Sequence, residues 1–325
     1  MYAYGLVPSR RFGRSLGVSP IPEKTCSYSC VYCQLGRTKN LTPVRQSFFD
    51  QNAIFSDIEK VARANKGNID YITFVGDGEP TLSIDLGSLI RRCRQSFSYR
   101  TAVITNGSLF WQKEVREDLM DADVVNITMA TSDAQTFHRM HRPHPRIDFE
   151  QVQQGILDFA AVFRGEIWVE IMLVDTVNTD DERMNALKAR IDAVHPARRY
   201  VMVPTRPPAE PWVHIPSPEI IMKALSLFGG TDITQPEEGA FGLDGFSSAS
   251  EAIIEICHRH PLRLSQARSI EGRFSQNTLD DLLSSGKLRV VEYQDHKYVV
   301  PSEFVFGIGV AWNDLRKGMA RVNVR

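Results

Sequence analysis

The 325-residue sequence lacks several features that would assign it to a special class of protein. No apolar run approaches the roughly 20 residues that a membrane-spanning helix needs. The N-terminal MYAYGLVPSRRFG lacks the apolar centre of a secretion signal. The net charge of −1 gives no electrostatic indication of nucleic-acid binding. Only five cysteines are present, which suits a reducing cytosol. These absences favour a cytoplasmic globular protein with no membrane among its partners.

Three of the five cysteines lie within eight residues, in the run KTCSYSCVYCQLG. Cys26, Cys30 and Cys33 follow the spacing Cys-x3-Cys-x2-Cys, with Tyr32 just before the third. Disulfide pairing would leave one of three thiols over, and a structural zinc site usually needs four ligands, whereas no second pair follows here. Four cysteine thiolates normally hold a four-iron cluster. Three thiolates therefore predict a four-iron cluster with one iron open to a substrate or cofactor.

The other two cysteines are predicted to be core residues. Cys93 shares a helix-spaced apolar face with Leu89 and Ile90, and Cys257 lies beside Ile253 on another. A buried cysteine behaves as a small hydrophobic residue. This interpretation leaves no cysteines for a second cluster.

The cysteine run resembles the signature of the radical S-adenosylmethionine (SAM) superfamily. In that superfamily SAM chelates the open iron, and an electron from the cluster cleaves its sulfonium to release a 5′-deoxyadenosyl radical. The longer stretch VPSRRFGRSLGVSPIPEKTCSYSCVYCQLGRT resembles the branch related to wyosine tRNA-base synthases. The resemblance implies one 4Fe-4S cluster, SAM as cofactor, and a one-electron reductase of the flavodoxin or ferredoxin type as partner.

Short β-rich runs alternate with helix-periodic segments up to residue 228. The predicted strands are 16–21, 71–75, 101–105, 124–129, 167–173 and 200–203. The predicted helices are 52–64, 84–97, 111–120, 149–163, 180–193 and 218–228. This alternation predicts an α/β fold with a parallel sheet, open or closed. The resemblance implies a partial (β/α)6 barrel. Chemistry in such folds lies at the carboxyl ends of the strands, and the cysteine run follows the first strand.

Four regions are predicted along the chain. They are the barrel (1–228), a glycine-rich linker (229–246), a small winged-helix-like α+β domain (247–300) and a tail of undefined structure (301–325). The small domain has predicted helices at 250–258, 265–270 and 277–284, followed by strands at 288–293 and 297–300. We expect it to cover the barrel mouth or recruit a partner. Removal of this domain should leave the cluster and SAM binding largely intact.

The second predicted strand runs into the sequence GDGEP, which is Gly76, Asp77, Gly78, Glu79 and Pro80. Glycines allow the backbone to approach a ligand closely, and Glu79 offers a carboxylate for an ammonium group. The loop resembles the Gly-Gly-Glu motif of the superfamily, which contacts the SAM amino group. We therefore predict that these five residues bind SAM. By itself, such a loop is also typical of an ordinary β-turn.

The remaining cofactor-binding candidates are Tyr32, which lies in the cysteine run, and residues of the later strands. Thr105 and Asn106, at the end of the third predicted strand, are both predicted to bind the cofactor, although Asn-Gly is also typical of a turn or helix entry. Glu170 is a lone acid in an apolar strand and therefore needs a partner. The resemblance implies that Glu170 contacts the ribose or the amino-acid part of SAM. Val203 is predicted to line the adenine pocket, and no catalytic residue is identified.

Two segments leave the substrate undefined. Where relatives are expected to carry Ser-Leu-Asp-Ala, the chain has TMAT at 128–131 and an acid only at Asp133. The following FHRMHRPHPR, residues 137–146, is either a cationic loop facing an anionic substrate or a solvated basic loop. Pro143 and Pro145 break helical geometry there, which opposes a histidine metal site.

The leading hypothesis is a radical SAM enzyme acting on an unidentified small molecule, peptide or tRNA. Wyosine-type modification of a tRNA guanosine is an alternative, opposed by the neutral charge and by the lack of cysteines for a second cluster. An iron–sulfur sensor that regulates transcription is an alternative from another class. Its reading helix would be SQNTLDDLLSSG, which carries Asp280 and Asp281 but no Lys or Arg for phosphate contact. Sequence-specific DNA binding is therefore not predicted.

Overall fold

The computed structural model describes residues 1–235, 239–274 and 278–307. In chain order the strands are β1 (Ala3–Ser9), β2 (Gly13–Val18), β3 (Thr25–Cys26), β4 (Asn40–Leu41), β5 (Tyr71–Phe74), β6 (Arg100–Thr105), β7 (Val124–Thr128), β8 (Glu166–Met172), β9 (Arg198–Met202), β10 (Thr231–Asp232), β11 (Leu262–Arg263), β12 (Leu288–Tyr293) and β13 (His296–Pro301). The helices are α1 (Gln51–Ala64), α2 (Leu86–Ser96), α3 (Lys113–Leu119), α4 (Ala134–His141), α5 (Phe149–Val162), α6 (Asp181–Val194), α7 (Pro218–Phe228), α8 (Ala249–Arg259), α9 (Leu264–Arg273) and α10 (Leu279–Ser284). A short 3-10 helix covers Pro80–Leu82. Most of the predicted tail and the first residue of the helix predicted at 277–284 lie outside the described residues.

Eight strands form the main sheet, in the order β1-β2-β5-β6-β7-β8-β9-β10. All pairs from β2 to β10 are parallel. A helix follows each of the strands β2, β5, β6, β7, β8 and β9, because each apolar strand needs a crossover to return in parallel. The predicted α/β class with a parallel barrel sheet is confirmed.

The sequence pattern does not predict β1, which forms one edge of the sheet. It pairs antiparallel with β2, and its register shifts between Ala3 and Leu6. Gly5 lies between them with φ +88°, a conformation that favours glycine. Pro8 has no N–H to donate, which is tolerated at a sheet edge. Gly5 and Pro8 are atypical of strands, and for this reason the sequence pattern does not predict β1.

Aromatic side chains fill the barrel toward the amino ends of its strands. Phe12 stacks on Trp168 with ring centroids 4.9 Å apart. Tyr71 meets Phe12 edge-on at 5.1 Å, and Tyr200 meets Trp168 edge-on at 5.7 Å. We call these four residues the aromatic floor. A cavity lies above the aromatic floor, toward the carboxyl ends of the strands.

The C-terminal unit packs three helices, α8 to α10, against a small antiparallel sheet in the order β11-β13-β12. It has its own apolar core, which includes Ile253, Ile256 and Leu262. Gln294 and Asp295 both have positive φ, as a tight two-residue hairpin turn between β12 and β13 requires. The winged-helix-like assignment and the predicted domain bounds stay predictions.

The C-terminal unit is held against the barrel by several segments. Within the predicted linker, β10 joins the main sheet beside β9, and Gly242 bridges to Leu6 of β1. On the other side, Tyr293 and Tyr298 donate their hydroxyls to the carbonyls of Pro204 and Thr205, at 2.9 and 2.8 Å. The unit therefore lies over the carboxyl ends of the barrel strands.

In the part of the chain that the structure describes, no helix combines the length and the apolar character needed to cross a bilayer.

Candidate functional site

The three clustered cysteines lie in one loop that leaves the carboxyl end of β2. Cys26 ends β3, and the N–H of Cys33 donates to the carbonyl of Cys30 at 3.1 Å, so these two share a turn. All three are free thiols and partly exposed. Burial raises the pKa of Cys26 to about 12. The loop groups three soft donors, and this donor set fits a four-iron cluster held by three thiolates.

The remaining two cysteines lie in helices rather than in this loop. Cys93 and Cys257 are fully buried in α2 and α8, each within an apolar core. Their placement agrees with the core packing that their spacing predicts.

Lys24 places a buried cation next to the cysteine loop. Its ammonium donates to the carbonyl oxygens of Leu35 and Gly36, the latter at 2.6 Å. Burial lowers the pKa of Lys24, and the nearby thiols of Cys33 and Cys26 oppose this shift. A neighbouring cation stabilises thiolates, which are the form that binds metal.

The basic segment 137–146 supports the cysteine loop. Both sequence interpretations make the whole segment a loop, which is wrong for its first residues. Residues up to His141 belong to α4, whose first turn is capped by the Asp133 carboxylate. The N–H of Val31 donates to Met140 at 2.9 Å, and that of His144 donates to Ser27 at 2.9 Å. The prolines end the helix only after His141. The backbone after α4 is thereby available to pair with the cysteine loop.

His141 contacts the second cysteine directly. Its Nδ1 lies 3.4 Å from Cys30 Sγ and 3.2 Å from the hydroxyl of Tyr32. Burial lowers the pKa of His141 to about 3, so the ring is neutral at physiological pH. A neutral ring avoids burying a second charge beside the thiol.

The glycine loop of residues 76–80 packs tightly against the cysteine loop. A Cβ on Gly78 would lie 1.7 Å from the carbonyl oxygen of Thr25, and one on Gly76 would lie 2.5 Å from Ile21 Cδ1. The N–H of Glu79 donates to Thr25 at 3.1 Å. Pro80 opens the 3-10 helix that follows. The glycines are thus required for a close approach between the two loops.

The Glu79 carboxylate is buried and accepts hydrogen bonds from its own chain. The donors are the N–H and hydroxyl of Thr81 at 3.0 and 2.6 Å, the hydroxyl of Thr105 at 2.7 Å and the N–H of Asn106 at 2.8 Å. Burial raises the pKa of Glu79, and these hydrogen bonds oppose the rise. Glu79 therefore organises this rim, whether or not it also contacts SAM.

Asn106 joins the third strand to the cysteine loop. Its side-chain amide donates to Ser27 Oγ at 3.0 Å and lies 3.7 Å from Cys26 Sγ. Its Oδ1 accepts from the N–H of Ser108 at 2.9 Å. Both the predicted turn chemistry and the predicted position on the rim therefore apply to Asn106.

Asp77 points away from the other loop residues and toward the C-terminal unit. Its Oδ2 lies 3.4 Å from Nε of Arg259, in the last turn of α8. Burial raises the pKa of Asp77 to about 6, although Arg259 opposes the shift. Asp77 is not among the residues that line the barrel cavity.

A cavity of about 310 Å³ lies inside the barrel, between the aromatic floor and the cysteine loop. Its lining includes Cys33 and three predicted cofactor-binding residues, Tyr32, Glu170 and Val203. Glu170 finds the partner that its apolar strand requires, because Arg11 Nη1 lies 2.6 Å from its Oε1. The structure thus divides the predicted residues between the cavity and the tightly bonded rim around Glu79.

Sequence reasoning misses two residues that hold this site together, Glu210 after β9 and Arg259 on α8. Both act through partners that are distant in the chain, so no local pattern marks them. Two other residues carry a sequence signal that does not reveal their partners. Arg11 belongs to a cluster of arginines near the N-terminus, and His141 lies in the basic segment 137–146.

Comparison with known proteins identifies the family of the chain. A family model described as the radical SAM superfamily matches residues 21–188. A UPF0026 protein of Methanocaldococcus jannaschii is 34% identical over 301 residues, which are 90% of this chain and 93% of the relative. A GTPase Obg of Brachyspira hyodysenteriae is 33% identical over 295 residues, but these cover 88% of this chain and 43% of that relative.

A solved structure shares the fold. A radical SAM methyltransferase from Sphaerobacter thermophilus superimposes with a TM-score of 0.52 at 16% identity, over 69% of this chain and 67% of that chain. The cysteine loop and the glycine loop both lie within the matched residues 21–188. The predicted superfamily is confirmed, and the wyosine-related branch stays a prediction. The chain therefore belongs to the radical SAM superfamily, whose members bind a 4Fe-4S cluster and SAM, and within it to the UPF0026 proteins.

Proposed function

We propose that this protein is an enzyme that cleaves SAM reductively and uses the resulting radical on a substrate bound in the barrel cavity. The observation that carries the proposal is the position of the cysteine loop. Cys33 and Tyr32 line the same cavity as Glu170 and Val203. A cluster on the loop would therefore face this cavity inside the barrel.

The residues proposed to hold the cofactors are those predicted from the sequence. Cys26, Cys30 and Cys33 would hold the cluster, and the glycine loop with Asn106 would form the rim for SAM. When bound and reduced, the cluster supplies the electron that cleaves the SAM sulfonium and generates a 5′-deoxyadenosyl radical. The electron would come from a flavodoxin-type or ferredoxin-type reductase in a reducing compartment such as the cytoplasm.

The chain contributes orientation and the exclusion of water. Glu79, with its four internal hydrogen bonds, fixes the rim. Phe12 of the aromatic floor lines the cavity at one end, and Arg259 and His260 of the C-terminal unit line it at the other. Closing an active site in this way suppresses side reactions of reactive intermediates.

The size of the cavity bears on the substrate. About 310 Å³ is near the lower end of ligand pockets, which span roughly 300–1,000 Å³. Tyr32, Glu170 and Val203, which are predicted to contact SAM, line this same cavity, so the cofactor would share the volume with the substrate. The remaining space supports a small molecule, or a single residue of a peptide or tRNA that enters the barrel.

The test is anaerobic reconstitution with iron and sulfide, followed by reduction in the presence of SAM. We expect about four irons per chain, as in a cubane cluster, and release of 5′-deoxyadenosine and methionine measured by mass spectrometry. Cys30→Ala should abolish both signals. Cys93→Ala is the matched control because Cys93 is buried in α2, and it should keep both signals. Equal loss of iron in the two variants would contradict the proposal.

A further inference from the structure

The last turn of α8 reaches several segments that surround the proposed cofactor site. His258 Nδ1 lies 2.8 Å from Glu23 Oε1, just before the cysteine loop. The carbonyl of Arg259 accepts from the Gln34 amide at 3.2 Å, just after Cys33. His260 and Arg259 also line the barrel cavity. One helical turn of the C-terminal unit therefore contacts both ends of the cysteine loop.

Arg259 makes a buried connection from this turn to the glycine loop. Its Nε lies 3.4 Å from Asp77 Oδ2, with 12% of the arginine side chain and 3% of the aspartate side chain exposed. The guanidinium lies over the ring of Tyr4, and its terminal nitrogens donate to Glu255 and to the carbonyl of Met1. The guanidinium is thus held from several sides, in a fixed position relative to Asp77.

This contact is an ion pair rather than a hydrogen bond, because Arg259 Nε has no hydrogen-bond partner among the residues that the structure describes. The second carboxylate oxygen, Asp77 Oδ1, also lacks a hydrogen-bond partner within those residues. A buried carboxylate needs a compensating charge. Arg259 is the cation that lies at ion-pair distance from Asp77 within the described ranges, so loss of Arg259 would leave Asp77 buried and uncompensated.

The Asp77 backbone transmits its position to the cysteine loop. Its carbonyl accepts from the N–H of Lys24 at 2.7 Å, and its own N–H donates to Ser19 Oγ at 3.2 Å. Two residues later, Glu79 is bonded to Thr25. A displacement of Asp77 would therefore move the glycine loop against the segment that carries Cys26.

We propose that Arg259 is a positioning residue for the cofactor site, which couples docking of α8 to the conformation of the glycine loop through Asp77. SAM affinity then depends on the C-terminal unit, contrary to the expectation that SAM binds largely without it. The inference rests on the proposed function to the extent that the glycine loop binds SAM. The structural half of the coupling, from α8 to the glycine loop, holds without any cofactor.

The first test measures SAM affinity calorimetrically on the full-length, cluster-loaded protein. We expect Arg259→Gln and Asp77→Asn each to weaken SAM binding about tenfold, within the usual range of coupling between sites. The double variant should be no weaker than either single variant, because both remove one interaction. Iron content should stay unchanged. Arg259→Lys should recover part of the affinity because it keeps the charge.

Arg268→Gln is the matched control, since Arg268 is an arginine of the same unit whose ion pairs, with Asp280 and Glu271, lie within that unit. It should bind SAM like the wild type. Wild-type affinity in Arg259→Gln, or fully additive losses in the double variant, would overturn the coupling.

The second test needs no cofactor and separates the two proposals. Hydrogen exchange of the metal-free protein should quicken at residues 76–82 in Arg259→Gln and not in Arg268→Gln. Unchanged exchange there would overturn the coupling. If the wild type bound no SAM while exchange responded as expected, the proposed function would fail and the link from α8 to the loop would stand.

Discussion

Arg37 and Glu210 form a two-point ion pair that fastens the cysteine loop to the segment after β9. Arg37 Nε lies 2.7 Å from Oε1 and Nη2 lies 3.0 Å from Oε2 of the carboxylate. Arg142, which follows α4, donates to the same Oε1. Although burial would raise the pKa of Glu210, the two arginines lower it below its usual value. One buried carboxylate thus ties together three segments around the site.

Glu210→Gln should loosen this junction, because it leaves Arg37 and Arg142 facing a neutral amide. Both arginines are 40% exposed, so we expect a loss of about 2 kcal/mol, less than the roughly 3–5 kcal/mol for breaking a fully buried pair. Urea unfolding of the metal-free protein measures the loss. Glu117→Gln, which removes one member of an exposed pair with Lys113, should change stability by less than about 1 kcal/mol. Equal effects from the two variants would show that Glu210 is dispensable.

Gly78→Ala should separate the glycine loop from the cysteine loop. The new Cβ would lie 1.7 Å from a backbone oxygen of Thr25, so one of the two loops must shift. We expect a loss of about 1–3 kcal/mol, as for other overpacked sites, together with reduced iron uptake. The control is Gly272→Ala in α9, where no atom lies within 4 Å of the new Cβ. That variant should be neutral or stabilising by up to about 1 kcal/mol, and normal iron uptake by Gly78→Ala would contradict the prediction.

Glu79→Gln tests whether this carboxylate only holds the rim or also contacts SAM. An amide cannot accept all four internal hydrogen bonds, so we expect a stability loss of about 1–3 kcal/mol from an unsatisfied donor. SAM affinity should fall further than this loss of structure explains. Thr105→Val is the comparison, because it removes one donor to Glu79 and keeps the carboxylate. If both variants bind SAM equally well, Glu79 has a structural role alone.

The docking of α8 should weaken as the pH rises through the pKa of His258. Burial alone would lower this pKa, but Glu23 and Glu303, at 2.8 and 3.6 Å, raise it above the ordinary value and Arg259 opposes them only in part. A raised folded-state pKa adds stability that is complete below the unfolded value of about 6.5 and is lost above the folded one.

Urea unfolding of the wild type and of His258→Gln, at pH 6 and at pH 8.5, measures this contribution. The wild type should be more stable by up to about 1 kcal/mol at the lower pH, and the difference should shrink at the higher pH. Glu23→Gln in the wild-type background should flatten the pH dependence. A difference that grows with pH would reverse the assigned sign.

The sequence predicts the barrel and the cysteine loop because both are local patterns. Each strand of the barrel is a short apolar run followed by a helical period, and both signals lie within one segment of chain. The spacing of Cys26, Cys30 and Cys33 is likewise readable without any tertiary contact. The glycine loop is predicted for the same reason, since it directly follows β5.

Contacts between distant segments are not predicted. The sequence pattern places Asp77 in a loop. Only the fold shows that its charge is balanced by Arg259 of the C-terminal unit. The start of the basic segment 137–146 is helical because Asp133 caps α4, whereas its prolines favour a loop over the whole segment. In each case the deciding contact involves a residue outside the local pattern.

The stack of Phe12 on Trp168 fills the barrel toward the amino ends of its strands. Arg10 reaches from the neighbouring turn to the carbonyls of Ile233 and Gln235, which follow β10, and so links the first and last strands of the sheet. A ligand that enters from the carboxyl ends of the strands passes the rim that carries Cys33 and Tyr32. Under the proposed function, a substrate that sits below SAM has to arrive first, and its product has to wait until methionine and 5′-deoxyadenosine have departed. Turnover would therefore follow a compulsory order, in which SAM binds last and its cleavage products leave first.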